Sequence, residues 1–168
     1  MPSDTYEAVV VGGSFAGLSA AMQLGRARRR VLVVDAGLPR NRVAHASHGF
    51  LGQDGRTPAE ILETARAQVL AYATVEFRAD EAMQASAIAA TPNALFDVAL
   101  ASGRTARAKR LVLATGIIDD LPDIPGLRER WGRSVLHCPY CHGYEVRDRP
   151  LGVMGGSPYR ASSWTAGP

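Results

Sequence analysis

The most constraining stretch of this chain is Tyr6–Asp35. Tyr6-Glu7-Ala8-Val9-Val10-Val11 is a short and nearly continuous apolar run, as expected of a central parallel strand buried on both faces. Gly12-Gly13-Ser14-Phe15-Ala16-Gly17 follows without a break. Leu18-Ser19-Ala20-Ala21-Met22-Gln23-Leu24 then reads as helix, and Val31-Leu32-Val33-Val34-Asp35 reads as a second buried strand ending in an acid. Strand, glycine turn, helix and strand make a β-α-β crossover of about thirty residues. That unit commits the amino-terminal half to an α/β fold with a parallel sheet.

Each glycine has its own task. Gly12 permits the tight turn off the strand, and Gly17 lets the helix lie close to the sheet. The amides at the helix start, with the dipole behind them, suit a pyrophosphate, and Asp35 falls where a carboxylate can bond ribose hydroxyls. In G-x-G-x-x-G the middle glycine would stand at Ser14; Ser is small, and Gly13 beside it shares the duty of close approach. The expectation is a dinucleotide-binding domain.

Further along, Pro39-Arg40-Asn41-Arg42 and Ser47–Gly55 carry turn residues over a stretch long enough to expect a functional loop. His45 and His48 in it have no acidic or cysteine partner in the neighbouring sequence that would make them metal ligands. Thr57-Pro58-Ala59-Glu60 is a helix start, with Thr57 capping, Pro58 in the first helical position and Glu60 closing a capping box. Val75-Glu76-Phe77 reads as a third parallel strand. Ala82–Ala90, Leu95–Ala101 and Arg104–Ala108 read as an antiparallel meander turning at Pro92-Asn93 and Ser102-Gly103. Leu111–Gly116 reads as another apolar strand, ending in Thr115-Gly116 where small residues let a ligand approach. Pro122 and Pro125 mark a linker. Pro150–Ser157 reads as a strand opening a second glycine-rich turn at Gly155-Gly156-Ser157, after which no helical apolar face follows.

The chain's only two cysteines sit at Cys138 and Cys141, in Cys138-Pro139-Tyr140-Cys141-His142-Gly143-Tyr144-Glu145. Spaced C-x-x-C, they can close into a disulfide in one turn and exchange electrons as a dithiol/disulfide couple. C-x-x-C-H is also the haem c attachment string. The absence of an export signal and the nucleotide-type fold upstream argue against that reading. Zinc is disfavoured because Cys138, Cys141, His137 and His142 are crowded together and lack a second pair at zinc-finger spacing. The apolar runs are too short to span a bilayer, so a cytoplasmic protein without a membrane partner is expected. The basic run Arg26–Arg30 lacks interleaved aromatics and does not suggest nucleic acid.

Taken together, Gly12–Gly17, Asp35, Ala114-Thr115-Gly116 and Cys138/Cys141 resemble the low-molecular-weight thioredoxin reductases. These sit within the wider FAD- and NAD(P)-dependent pyridine nucleotide–disulfide oxidoreductases. The C-x-x-C-H-G-Y-E string is similar to the branch that includes the dithiol oxidases of gliotoxin and holomycin biosynthesis. The resemblance implies an α/β fold: a Rossmann-like three-layer FAD-binding domain over residues 1–117, with a parallel sheet and a small antiparallel meander. Residues 118–168 would then be the start of an NAD(P)-binding domain carrying the C-x-x-C.

By the same resemblance, FAD contacts Gly12, Gly13, Ser14, Ala16 and Gly17 at its pyrophosphate and Asp35 at its ribose. Backbone near Ala82 meets the adenine, Thr115 and Gly116 pass close to the cofactor, and Asn41 with the loop Gly49–Asp54 flanks the flavin. Cys141 faces the flavin, Cys138 is the interchange thiol, and His142 stands where thioredoxin reductases carry a proton-donating acid. An imidazole titrating near ~6.5 serves that purpose at neutral pH.

Electrons would pass between NADPH, FAD, the cysteine pair and an external disulfide or dithiol, on a thioredoxin-like protein or a small molecule. A homodimer is the common assembly. Family members complete the NADPH domain and return to the FAD domain, so the resemblance implies a truncated member with most of its NADPH site missing. The alternatives are a catalytically impaired FAD-binding fragment and a small-molecule dithiol oxidase using oxygen.

Overall fold

Glu7 splits the first apolar run in two, and the split generates the layers of the amino-terminal unit. A computed structural model of the chain describes residues 5–88 and 95–154, with the backbone of the strand at 163–166. Its contacts group Met1–Pro39 with Leu62–Ile117 in one unit, and Arg40–Ile61 with Ile118–Pro168 in a second.

The first unit contains β1 (Thr5–Tyr6), β2 (Ala8–Val11), α1 (Phe15–Arg26) and β3 (Val31–Asp35), and receives most of α2 (Pro58–Leu70). It continues with β4 (Val75–Ala79), β5 (Ala82–Ala87), β6 (Phe96–Leu100), β7 (Thr105–Ala108) and β8 (Leu111–Leu113). One sheet has the order β4-β3-β2-β8, with every pairing parallel. The other has the order β1-β7-β6-β5, a meander closed by a short parallel pairing to β1.

Tyr6 and Val9 therefore belong to different sheets. The amides of both Glu7 and Ala8 turn to the carbonyl of Arg30 (2.8 and 3.3 Å), while the Glu7 carboxylate accepts from the Arg29 guanidinium at 3.0 Å. Once the ladder is interrupted there, β1 is free to leave the parallel sheet for β7.

Alternation along the valine-rich strands divides the core. Val9, Leu32 and Val34 point to one face, where Tyr6, Val98, Leu100, Ala106 and Ala108 of the meander cover them. Val10, Val31 and Val33 point to the other, against Leu18 and Ala21 of α1 and Val69 of α2. Every one of these side chains is buried. Helices, parallel sheet and meander make the three layers expected of the sequence, and burial on both faces explains why the strands read as continuous apolar runs.

The helix starts behave as local chemistry dictates. The Thr57 hydroxyl accepts from the Glu60 amide at 3.2 Å, and the Glu60 carboxylate accepts from the Thr57 amide at 2.9 Å, a reciprocal capping box. These hydrogen bonds hold the Glu60 carboxyl below its usual range.

The second unit has a 3₁₀ turn at Arg40–Val43, then α3 (Leu127–Arg130), β9 (Val135–Leu136), α4 (Pro139–His142), β10 (Leu151–Met154) and β11 (Ser163–Ala166). Its sheet is antiparallel in the order β10-β11-β9. The strand expected from Pro150 onward is present as β10, but its partner β11 runs antiparallel to it. The turns expected at Pro92-Asn93 and at Gly155-Gly156-Ser157 lie outside the described residues. Among the described residues no helix is long and apolar enough to cross a membrane.

Candidate functional site

The glycine turn between β2 and α1 is a cradle that side chains would fill. Gly12 takes φ +101°, and a Cβ there would collide with the Ala114 carbonyl oxygen at the end of β8. A Cβ on Gly17 would collide with the carbonyl oxygen of Gly12 itself. Gly13 is buried, and a Cβ on it would meet Asp35 Cβ at 2.7 Å and Phe77 at 2.8 Å. The three glycines thus bring β2, α1, β3 and the Ala114-Thr115 segment to a spacing that no other residue permits. The close approach at Gly13, beside Ser14, is to Asp35 and Phe77.

The same turn has the electrostatics of an anion site. Ser14 starts α1 without using its side chain as a cap, and no acid occupies the first helical turn. The positive end of the helix dipole is left for a ligand phosphate. Asp35 is held in place by the Gly13 amide, which donates to its Oδ1 at 2.9 Å. Its Oδ2 lies 3.7 Å from the Arg66 guanidinium, which in turn sits 4.1 Å over the Phe77 ring. A carboxylate so engaged still has acceptor positions for ribose hydroxyls.

Of the residues expected to hold a dinucleotide, Gly12, Gly13, Ser14, Ala16 and Gly17 lie in this one turn and helix start, and Asp35 is bonded to it through the Gly13 amide. Thr115 and Gly116 follow Ala114 at the edge of this cradle, both exposed. Ala82 begins β5, the outer strand of the meander, and packs against the core cluster shared with the parallel sheet. It follows Asp80, whose amide bonds the Asp35 carbonyl at 3.1 Å. Arg66 is a residue that sequence reasoning missed; it comes from α2, and nothing local marks it as a partner of Asp35.

In the second unit Cys138 and Cys141 are joined in a disulfide, their Cα atoms 5.3 Å apart. Cys138 is the N-cap of α4, Pro139 takes the first helical position, and the Cys141 amide donates to Cys138 Sγ at 3.1 Å. Local sequence explains this geometry, since proline pre-sets a helical φ and a cap accepts the amide three residues on. Cys138 is half-buried, Cys141 exposed and His142 half-buried.

His142 Nδ1 is enclosed and has no hydrogen-bond partner among the described residues. Burial lowers the His142 pKa below the ordinary imidazole value; Glu145 works against the shift and His48 adds to it. His142 is thus biased toward the neutral imidazole. On the other side of the pair, His137 stacks on Trp131 with ring centroids 5.3 Å apart. Its pKa is also lowered, first by burial and then by the Arg40 charge.

Asn41 lies in the 3₁₀ turn, where its carbonyl accepts from the Ala44 amide at 3.0 Å. The neighbouring Arg40 grips Asp119 with two hydrogen bonds, at 2.8 and 2.6 Å. These bonds hold the Asp119 carboxyl below the usual range. Its contribution to stability is therefore present above the ordinary aspartate range near pH ~3.9 and disappears as pH falls through the depressed value. Asp119→Asn is expected to flatten the fall in stability on acidification, measured by urea denaturation between about pH 6 and pH 3. Both side chains are partly exposed, so the effect is about 1 kcal/mol at most.

The sequence offers His48 no acidic partner, but the fold gives it two. Its Nδ1 lies 3.7 Å from Asp54 and its Nε2 lies 3.5 Å from Glu145. His45 is exposed. Among the described residues no group of three or more His, Cys, Asp or Glu side chains is arranged to hold a metal ion.

A family model described as pyridine nucleotide-disulphide oxidoreductase matches residues 6–159. The chain is 36% identical over 156 residues to a probable thioredoxin reductase of Arthroderma benhamiae, a match covering 92% of this chain and 39% of that protein. It is 37% identical to the thioredoxin reductase tcpT of Claviceps purpurea, over 93% of this chain and 48% of the relative. The crystal structure of HlmI superposes with a TM-score of 0.88 at 49% identity, covering 93% of this chain and 49% of that one. The chain spans about half the length, or less, of these relatives.

Proposed function

The chain belongs to the pyridine nucleotide-disulphide oxidoreductase family, and on that premise we propose that it carries a flavin-linked thiol–disulfide exchange centre. Cys138 and Cys141 are its redox pair and His142 its proton carrier. Residues 1–117 supply the flavin side; residues 118–168 carry the redox pair and begin the NAD(P) side. The observation that carries the reading is the disulfide itself, closed within one helical turn and followed at once by an imidazole with an enclosed, unpartnered nitrogen. FAD, when bound, supplies two-electron exchange with that disulfide.

The chain's own residues account for the substrate half of the reaction. An external thiolate attacks Cys138 Sγ, the bond to Cys141 breaks, and its electron pair stays on Cys141 as thiolate. A second thiolate on the substrate attacks the substrate sulfur of the mixed disulfide. Cys138 leaves as thiolate and the substrate departs as a disulfide. The Cys141 amide that donates to Cys138 Sγ in the closed disulfide is placed to stabilise that anion.

The direction of proton flow favours one variant of this reading. A neutral imidazole takes protons more readily than it gives them, and burial keeps His142 neutral. Oxidation of a substrate dithiol releases two protons, so His142 suits a dithiol donor better than an acid in its place would. Thioredoxin-like proteins, NADPH-driven reduction and a homodimer remain part of the proposal for a protein of the relatives' full length.

The test is an absorbance spectrum of the purified chain, before and after addition of FAD and gel filtration. We expect flavin bands to co-elute with the chain, and the bands to bleach in the absence of air when a dithiol is added. Complete separation of flavin from protein overturns the reading.

A further inference from the structure

The loop from Ser47 to Arg56 is pinned at both ends and folded onto itself. The Ser47 amide donates to the Arg56 carbonyl at 2.7 Å, and the Gly55 amide to the Ser47 carbonyl at 2.8 Å. The Gly49 amide donates to Asp54 Oδ1 at 2.8 Å. This fixes His48 with one ring nitrogen toward Asp54 and the other toward Glu145, three residues past His142. The His48 side chain, 25% exposed, is the most enclosed of the three, between Glu145 at 37% and Asp54 at 68%, and the Asp54 end opens to water.

We propose that His48 is a second imidazole of the Cys138–Cys141 centre, a positioning residue that shares Glu145 with His142 and passes protons to solvent beside Asp54. The proposal rests on the exchange reading above and adds a residue to it.

Separations of 3.5 and 3.7 Å are longer than direct hydrogen bonds. The contacts are electrostatic, and a small rotation or one water brings them within transfer distance. The charged groups that act on His142 are Glu145 and His48; those in contact with His48 are Asp54 and Glu145. Glu145 acts on both imidazoles, and a carboxylate serves a cation on only one side at a time, so a cation at His48 draws Glu145 away from His142. A proton taken from a thiol by His142 is driven on to His48 as the next thiol is oxidised. Only protons move along this row; both electrons remain with the sulfur chemistry.

The experiment uses the full chain and needs no flavin. Imidazole NMR signals are followed against pH in the oxidised protein, and alkylation of the reduced cysteines by iodoacetamide is followed against pH. In His48→Gln, which keeps bulk and a donor, His142 is expected to titrate at higher pH than in the wild type. Glu145→Gln is expected to move His142 to lower pH, and adding His48→Gln to it should give a smaller shift than His48→Gln alone.

In the wild type the His142 curve should show two steps. An unchanged or lowered His142 midpoint in His48→Gln overturns the proposal. If that variant folds poorly, a single independent step for His142 in the wild type overturns it instead. Failure of the underlying reading looks different. There, His142→Gln leaves the pH profile of cysteine alkylation unmoved, whatever His48 does.

Discussion

Gly17→Ala is expected to destabilise the amino-terminal unit by about 1–3 kcal/mol or more and to abolish retention of flavin. A single methyl group has this effect because of what it meets. The added carbon would run into the carbonyl oxygen of Gly12, and Val10 Cγ1 stands 3.2 Å away on the far side. Neither neighbour is the flexible end of a long side chain. Gly12 is itself held at φ +101° against the Ala114 carbonyl, and its amide donates to the Val34 carbonyl at 2.8 Å. Relief therefore requires α1 to lift from β2, which opens the packing of Leu18 and Ala21 on Val10, Val31 and Val33.

Lifting α1 also withdraws the helix N-terminus from where a pyrophosphate would lie, so stability and flavin retention should fall together. Gly37→Ala is the control. That glycine has φ +74° but nothing within 4 Å of an added Cβ. The expected cost is about 1 kcal/mol from backbone conformation, with flavin retention unaltered. Urea denaturation and flavin co-elution measure both variants. A Gly17→Ala protein as stable as the wild type and still yellow removes the close approach from the account of this fold.

What could be read in the residues alone was whatever a short stretch of chain decides by itself. The turn at Gly12–Gly17, the capping box at Thr57 and Glu60, and the one-turn disulfide at Cys138 and Cys141 each involve partners a few positions apart, and each is present. The continuous apolar runs at Val9–Val11 and Val31–Val34 likewise marked the central strands, because both faces of a parallel strand are buried.

The interruption at Glu7 was not legible in the same way. Tyr6 leaves the parallel sheet because β7 is waiting for it in another sheet, and Tyr6 pairs with Ala108. The leading run by itself favours one uninterrupted strand. The two charged clusters were hidden for the same reason. Arg40 and Asp119 lie 79 positions apart, and His48 meets Glu145 only after the loop at 47–56 has folded onto the second unit's own chain. Arg66 shows a helical residue of ordinary appearance brought to Asp35 by the packing of α2. Pairings of this kind depend on tertiary contact, and neither composition nor periodicity records them.

Cys141→Ser should eliminate thiol–disulfide turnover, with a fall of roughly a thousandfold or more, and leave Cys138 able to start an exchange it cannot finish. The sulfur bookkeeping is visible with an aromatic disulfide such as DTNB. In the reduced wild type, Cys138 thiolate attacks the reagent and releases one aryl thiolate. Cys141 then attacks the resulting mixed disulfide, restores the Cys138–Cys141 bond and releases the second. Two aryl thiolates leave, and the chain ends at its starting mass in the oxidised form.

Without the second sulfur only the first step remains. Cys141→Ser is expected to release one aryl thiolate and to carry the other as a stable adduct, seen by mass spectrometry. Cys138→Ser should react more slowly, because the Sγ that accepts the Cys141 amide at 3.1 Å has been replaced and the exposed Cys141 keeps no such donor. The order of the two rates tests the assignment of Cys138 as the interchange thiol. Should Cys138→Ser form its adduct at the faster rate, Cys141 is the sulfur that meets substrate and the roles of the pair are reversed. Should both variants still release two aryl thiolates without forming a disulfide between chains, these cysteines do not work as a pair, and the redox reading of the second unit falls with them.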